Sequence, residues 1–319
     1  MKQILKDWTL PISMFLGVLG YLLFTQLSFL HDAKEFLVGY IPIILPTLIF
    51  IILFFTYCKI EPKDFKPRRW HLWLILIQAA EVAMIVPCCL TLESNSEYKP
   101  LLEAILATCI GPMAAVGAVV TQKIGGNAAT ATSYTLISSA FTAIAVPLVY
   151  PIVEPGIDIS FIDLFLKILS RVFPTIMVPL IIALLLWWLL PKVKEYLAEK
   201  SKDYSFYIWG ICTMVNTAQI IRSIVNSDCS GWVFVAICIS TCVIVSIHFI
   251  IGKSIGTIYN DRIAAGQGLA QKNTVLCIWM AMSFLNPQSA IGPGFCLLFQ
   301  SVVNSWQIWD FSKKQKMLK

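Results

Sequence analysis

The chain has 319 residues, of which 58% are hydrophobic and 13% charged, and its formal net charge is +6. The charged fraction is about half of that in a typical soluble domain. A soluble domain of this size keeps much of its surface in water and could not hide so much apolar area. The composition therefore excludes a soluble enzyme and predicts an all-α integral membrane protein in a lipid bilayer. The basic excess suits cytoplasmic loops, and no nucleic-acid partner is expected.

Ten segments are long and apolar enough to cross a bilayer, since a helix needs about 20 apolar residues to span roughly 30 Å of hydrocarbon. The breaks between them carry charges and turn residues. The predicted spans are Leu10–Leu30, Phe36–Cys58, Trp70–Leu92, Leu101–Thr121, Ala128–Pro151, Leu164–Leu190, Ser205–Val225, Trp232–Ile251, Tyr259–Leu285 and Ala290–Ile308.

Lysine and arginine are distributed unevenly between the two sides of this layout. With both termini in the cytoplasm, 18 of them lie on the cytoplasmic side, 5 lie on the outer side, and Lys272 lies inside a span. Positive residues are enriched in cytoplasmic loops. The sequence therefore predicts a multi-pass protein of the inner (plasma) membrane with both termini cytoplasmic. The oligomeric state is left open, and a monomer is compatible with the layout.

The ten spans divide into two halves of five, residues 1–151 and 152–319. With an odd number per half, the second half is inverted relative to the first. Gly111-Pro112 interrupts span 4, and Gly266-Gln267-Gly268 interrupts span 9. Paired broken spans are typical of transporters that bind their substrate at the midplane. The alternative is that Gly and Pro are simply frequent in membrane helices.

Two ionisable residues lie deep within spans. Glu81 is in span 3 and Lys272 in span 9, each about 16–20 Å deep at ~1.5 Å per residue. Charges at this depth are costly. Their opposite signs predict a pair, formed directly or bridged by water or substrate, and a purely structural salt bridge is the alternative. His248 in span 8 is expected to be a hydrogen-bonded core residue.

Span 5 carries hydroxyl side chains on one helical face, at Thr135, Ser138, Ser139 and Thr142, since residues three, four and seven apart lie together. Such residues either let helices pack closely or line a polar path. Asn127 is a candidate N-cap for this span. Asn273 and Thr274 follow the break in span 9, where free backbone N–H groups could hold an anionic group.

Motifs of membrane enzymes (HExxH, GxSxG or a P-loop) do not occur in the sequence, so no enzyme and no cofactor is expected. Three stretches instead resemble the bile acid:sodium symporter family, in its bacterial branch. GGNAATATSYTLISSAFTAIAVPLVYPI (residues 125–152) resembles the family's fifth helix, IHFIIGKSIG (247–256) its eighth, and GLAQKNTVLCIWMA (268–281) its ninth-helix crossover.

The resemblance implies a core domain, helices 3–5 and 8–10, in which broken helices 4 and 9 cross, and a panel domain of helices 1, 2, 6 and 7. It also implies secondary transport of amphipathic organic anions driven by sodium. The residues aligned with the family's sodium ligands lack side-chain oxygens at Gly117, Ala118, Ala131 and Gly268. Thr135 is retained as a candidate sodium ligand, and Lys272 replaces a glutamine. Sodium coupling is therefore open to question, because the Lys272 ammonium could replace a cation.

The predicted function is secondary transport of a small organic anion, such as a bile-acid-like carboxylate or sulfonate, by alternating access. Ordinary sodium symport and a non-transporting membrane sensor or binding protein are the alternatives. If Lys272 stays charged, a facilitator or exchanger results; if it releases its proton, transport is proton-coupled. The candidate site comprises Glu81, Pro112, Gly117, Thr121, Asn127, Thr135, Gly268, Gln271, Lys272, Asn273 and Thr274.

Overall fold

The computed structural model describes residues 9–27, 31–59, 66–93, 96–155, 159–226 and 230–317. Within these ranges the regular elements are twelve α-helices and one 3-10 helix, Pro287–Ala290. The α-helices are α1 Thr9–Gln26, α2 His31–Cys58, α3 Arg69–Leu90, α4 Lys99–Ile110, α5 Ala115–Lys123, α6 Ala128–Val153, α7 Phe161–Leu189, α8 Pro191–Val225, α9 Gly231–Ile258, α10 Arg262–Ala270, α11 Thr274–Phe284 and α12 Ile291–Met317.

Five helical stretches in the described ranges are long and apolar enough to cross a membrane, namely Gly39–Cys58, Arg69–Leu90, Ala128–Val153, Phe161–Leu189 and Gly231–Ile258. Two shorter apolar helices, Ile12–Gln26 and Thr274–Phe284, accompany them. The prediction of an all-α membrane protein is therefore confirmed at this level. The end of the first predicted span, Leu30, lies outside the described residues.

The two interruptions of helices differ in how well the sequence located them. Span 4 breaks at Gly111–Ala114, between α4 and α5, at the predicted Gly111-Pro112. Span 9 breaks at Gln271–Asn273, between α10 and α11, whereas Gly266 and Gly268 lie inside α10. The prediction that these glycines interrupt span 9 was wrong, because a helix tolerates glycine where its neighbours pack closely.

The charged segment PKVKEYLAEKSKD, predicted as a break between spans 6 and 7, is helical. It forms the first third of α8, which runs without interruption from Pro191 to Val225. Lys, Glu, Ala and Leu are good helix formers, and Pro is favoured at the first helical position. The charges marked the end of α7 at Leu189, but the next helix already begins at Pro191 and not at the predicted Ser205.

The chain separates into two compact units. The first comprises residues 1–59 and 173–228, in which α1 and α2 both pack on α8. The second comprises residues 60–172 and 229–319 and contains both breaks. Helix α7 contributes its residues up to Val172 to the second unit and the rest to the first.

The core of the second unit forms around Trp70, Leu74, Met113, Tyr134 and Leu269, which are almost fully buried. Helix α9 packs closely on α10 beside this core. A Cβ added at Gly252 would lie 2.5 Å from the backbone oxygen of Ala265, so only glycine allows this approach. This contact gives a physical reason for the glycine of the His-Phe-Ile-Ile-Gly motif. Without a side chain at this position, the backbone of α9 can pack directly against that of α10.

Candidate functional site

The two breaks meet and pair through their backbones. The amide of Ala114 donates to the carbonyl oxygen of Gln271 at 2.7 Å, and the amide of Asn273 donates to that of Pro112 at 2.8 Å. Met113 and Lys272 thereby form an antiparallel bridge. The pairing satisfies backbone groups that the broken helices leave free, which inside a membrane must find partners within the protein. The structure therefore brings together four residues of the predicted site: Pro112, Gln271, Lys272 and Asn273.

Hydroxyl groups of α6 hold the first break. The Ser138 hydroxyl accepts a hydrogen bond from the Met113 amide at 3.0 Å. The Thr142 hydroxyl donates to the carbonyl oxygen of Ile110 at 2.8 Å. The polar face of span 5 thus contacts the free ends of the broken helix, while the hydroxyls of Thr135 and Ser139 donate to carbonyls of their own helix.

Amide side chains of α12 hold the second break. Gln300 accepts from the Lys272 amide at 3.1 Å and donates to the Lys272 carbonyl at 3.3 Å. Asn304 and Gln271 exchange side-chain hydrogen bonds of 2.7 and 3.1 Å. Gln307 accepts from the Gln267 side chain of α10 at 2.7 Å. Sequence reasoning missed Gln300, Asn304 and Gln307, although their spacing of four and seven residues places them on one helical face. That periodicity was the available signal.

The Lys272 ammonium lies at the carboxyl end of α4. Its Nζ donates to the carbonyl oxygens of Cys109 at 3.0 Å and of Gly111 at 3.1 Å. The Gln78 amide donates to the same two oxygens, at 2.9 and 2.8 Å. The last carbonyls of a helix carry partial negative charge and favour a cation. Lys272 is 2% exposed, so its ammonium is a buried donor at this helix end.

Glu81 binds a different partner from the one that its depth suggested. The Nε2 atom of His248 lies 3.0 Å from each of the two carboxylate oxygens of Glu81. Lys272 acts on Glu81 electrostatically while its own hydrogen bonds go to backbone oxygens. The predicted pair of Glu81 and Lys272, formed directly or bridged by water or substrate, is not a direct ion pair: Glu81 contacts His248, and the Lys272 ammonium contacts backbone oxygens. His248 is hydrogen-bonded as predicted, but it belongs to the site.

Two further predicted residues, Gly117 and Thr274, line or follow the crossing, and Asn273 has a second role there. Gly117 on α5 faces Gln271, because an added Cβ would lie 3.0 Å from the Gln271 Cβ and 2.6 Å from the Met113 Cε. Asn273 caps α11 by accepting from the Leu276 amide at 3.4 Å. Thr274 begins α11 and is buried. The close approach at Gly117 explains why a small residue occupies this position.

The remaining predicted residues lie away from the paired breaks or direct their polar groups elsewhere. The Thr121 hydroxyl donates to the Gly117 carbonyl within α5. Gly268 is buried inside α10 against Tyr134. Asn127 is exposed and caps α6 by accepting from the amides of Ala129 and Thr130, which confirms it as an N-cap. These contacts support the fold around the crossing.

Broken helices that meet inside an all-helical membrane protein are a feature of membrane transporters. A model of the sodium bile acid symporter family matches residues 46–227, more than half of the chain, and the chain belongs to this family. The matched stretch includes the first break and Glu81 but ends before Lys272. No curated protein matches the chain. Family membership identifies a multi-pass membrane transport protein with a small-molecule substrate.

Proposed function

We propose that the protein is a secondary transporter of a small organic anion that works by alternating access. The observation that carries this proposal is the antiparallel pairing of Met113 with Lys272. Polar side chains of one helix hydrogen-bond to each break, those of α6 to the first and those of α12 to the second. This correspondence supports an arrangement of ten spans as two inverted halves of five, residues 1–151 and 152–319, with the substrate bound where the halves meet.

The two-domain plan of the family provides the moving parts in this proposal. Helices α1, α2 and α8 with the second part of α7 form the panel, which is supported by their grouping in one compact unit. The core carries the paired breaks. The protein lies in the inner (plasma) membrane with both termini cytoplasmic, supported by the distribution of lysine and arginine.

Lys272 takes the place of a coupling cation in this scheme. Its ammonium donates to the carbonyl oxygens of Cys109 and Gly111, so a cationic group already occupies these acceptors at the crossing. The hydroxyl of Thr135, the retained sodium candidate, donates a hydrogen bond to the carbonyl oxygen of Ala131. A basic side chain at the carboxyl end of a helix is favourable, because the last carbonyls carry partial negative charge. We therefore infer that the Lys272 side chain takes the position of the cation and that sodium is not required.

The substrate is an anion because the crossing combines this fixed ammonium with the amino ends of two helices. Helices α5 and α11 both begin at the breaks, and helix amino ends favour negative charge. Bile acid, the substrate in the name of the family, is the first chemical class to test. Other amphipathic carboxylates and sulfonates form the second.

Ordinary sodium symport is the competing function, and family membership favours it. A thermal-shift screen of the purified protein with bile acids, keto acids and sulfonated steroids would first identify an anion that binds. Uptake of that anion into proteoliposomes would then be compared with empty liposomes. Accumulation supports transport. Binding without accumulation would contradict it and indicate a membrane sensor or binding protein.

A further inference from the structure

Glu81 and His248 form a buried carboxylate–imidazole pair beside the crossing that the proposed function does not use. The side chain of His248 is 1% exposed and that of Glu81 is 16% exposed. A carboxylate only accepts hydrogen bonds, so the Nε2 atom of His248 carries the hydrogen that Glu81 receives. The other ring nitrogen, Nδ1, is buried and has no hydrogen-bond partner among the described residues. The pair therefore has one nitrogen available for a proton.

The charges around this pair can be counted from the helices that pack on α3 and α9. Glu81 contributes −1 and Lys272 +1, while neutral His248 contributes nothing, so the cluster is balanced. Helix α10 carries its one charged residue, Arg262, at its first position. Lys99 at the start of α4 pairs with Glu154, and Glu103 accepts from Asn286. The thiols of Cys109 and Cys296 and the phenol of Tyr134 are further titratable groups on these helices. Helix α12, which also packs on α9, carries its charged residues near its carboxyl end.

A proton added to the Nδ1 atom of His248 would raise this net charge to +1. An isolated charge in a buried, low-dielectric environment is costly unless an opposite charge accompanies it. A monovalent anion bound at the crossing would restore neutrality. Proton and anion would therefore each favour the binding of the other, and this coupling is necessarily reciprocal.

We propose that Glu81 and His248 form the proton-binding site of this transporter, which takes up a proton when the anion binds. The proposal rests on the proposed function for its anion and assigns the coupling ion to a pair other than Lys272. Glu81 keeps the imidazolium paired, and Lys272 sets the balance of charge. Protonation and anion binding at neighbouring groups would thus give proton–anion symport.

A metal ion is the competing occupant. The ligand atoms of Glu81, Cys109 and His248 lie within 4.8 Å of one another, a spacing that suits a metal. Both carboxylate oxygens already face the imidazole N–H, and the Lys272 ammonium lies on the carbonyl of Cys109. This positive charge next to the cluster opposes a divalent cation. Stoichiometric zinc in the purified protein, measured by mass spectrometry, would overturn the proton site.

The direct test follows the protonation of His248 by NMR of protein labelled with 15N-histidine. The chain has three histidines, so the His248 signal is assigned by its loss in His248→Gln. His71 contacts backbone groups through both ring nitrogens and serves as an internal reference. Without anion, the wild-type signal should show the neutral Nε2–H form at pH 7.

Lys272→Gln lowers the net charge of the cluster by one, which is also what a bound monovalent anion does. This variant therefore tests the charge balance without any knowledge of the substrate. His248 should then bind its proton about tenfold more tightly, which moves its titration up by about one pH unit. Glu81→Gln should move it in the opposite direction. Lys314→Gln, at an exposed lysine of α12, is the control and should leave it unchanged.

Equal titration of His248 in wild type and Lys272→Gln would overturn the proposal, as would a titration that does not respond to Glu81→Gln. If Lys272→Gln does not fold, Glu81→Gln decides alone. Taurocholate, a conjugated bile acid, serves as the anion probe. It should move the His248 titration of the wild-type protein upward, as the Lys272→Gln substitution does. If Lys272→Gln shifts the titration of His248 but taurocholate does not, the result supports the proton-binding site and excludes bile acids as the substrate class.

Discussion

The backbone of Met113 pairs with that of Lys272, and the side chain of Lys272 then reaches the last carbonyls of the helix that precedes Met113. One residue thus connects the two breaks twice, once through its backbone and once through its ammonium. The pairing fixes the position of the ammonium, because the backbone on both sides of Lys272 is held by Pro112 and Ala114.

Loss of the ammonium should therefore be costly. We expect Lys272→Met to lower the free energy of unfolding by about 3 kcal/mol, because Glu81 loses its balancing charge and the α4 carbonyls lose a donor. Chemical denaturation in detergent micelles measures the change.

The double variant Glu81→Gln/Lys272→Met should lower the free energy of unfolding by less than the sum of the two single variants. Lys314→Met, which breaks an exposed pair with Asp310, is the control and should cost less than about 1 kcal/mol. Equal losses for the two lysines would argue against a buried role.

The close packing of α9 on α10 predicts a difference between two glycines of the same helix. Gly252→Ala should destabilise the protein by about 1–3 kcal/mol, because the new methyl group meets backbone atoms of Ala265 and Gly266. Gly231→Ala is the matched control, since nothing lies within 4 Å of a Cβ there. Thermal unfolding of both variants checks this. A harmless Gly252→Ala would show that α9 and α10 are further apart.

Asn127 should matter as a helix cap. Its side chain accepts from two backbone amides, so Asn127→Ala should lower stability by about 1 kcal/mol. Ser230 occupies the same position before α9 but makes no capping hydrogen bond through its side chain, so Ser230→Ala should have almost no effect. If Asn127→Ala instead lost anion binding while its stability stayed unchanged, Asn127 would have a role in the binding site and not only in capping.

The predicted orientation can be checked with reporter fusions. A fusion after Lys319, which lies outside the described residues, should report the cytoplasm, and one after Glu154 should report the outer side. The uneven distribution of lysine and arginine is the physical reason. Reporters on the same side would exclude the ten-span arrangement and the inverted halves with it.

The sequence predicted those features that have a local chemical signal. Gly111-Pro112 marked the first break because proline removes a backbone donor, and Asn127 was recognised as a cap. The second break has neither glycine nor proline at Gln271–Asn273, and its signal was the capping residue Asn273. Partners distant in sequence were harder to predict. Glu81 and Lys272 agreed in depth, but the rotation of α9 that places His248 on Glu81 depends on tertiary packing.

The central claim is that the Lys272 ammonium replaces the coupling cation. Uptake of the bound anion into proteoliposomes, measured in sodium and in choline at equal ionic strength, tests this most directly. The account predicts equal initial rates in the two salts for wild type. Lys272→Gln should lose activity in both, or regain it only with sodium. A steep, saturable sodium requirement of the wild-type protein would contradict the account and establish ordinary sodium symport.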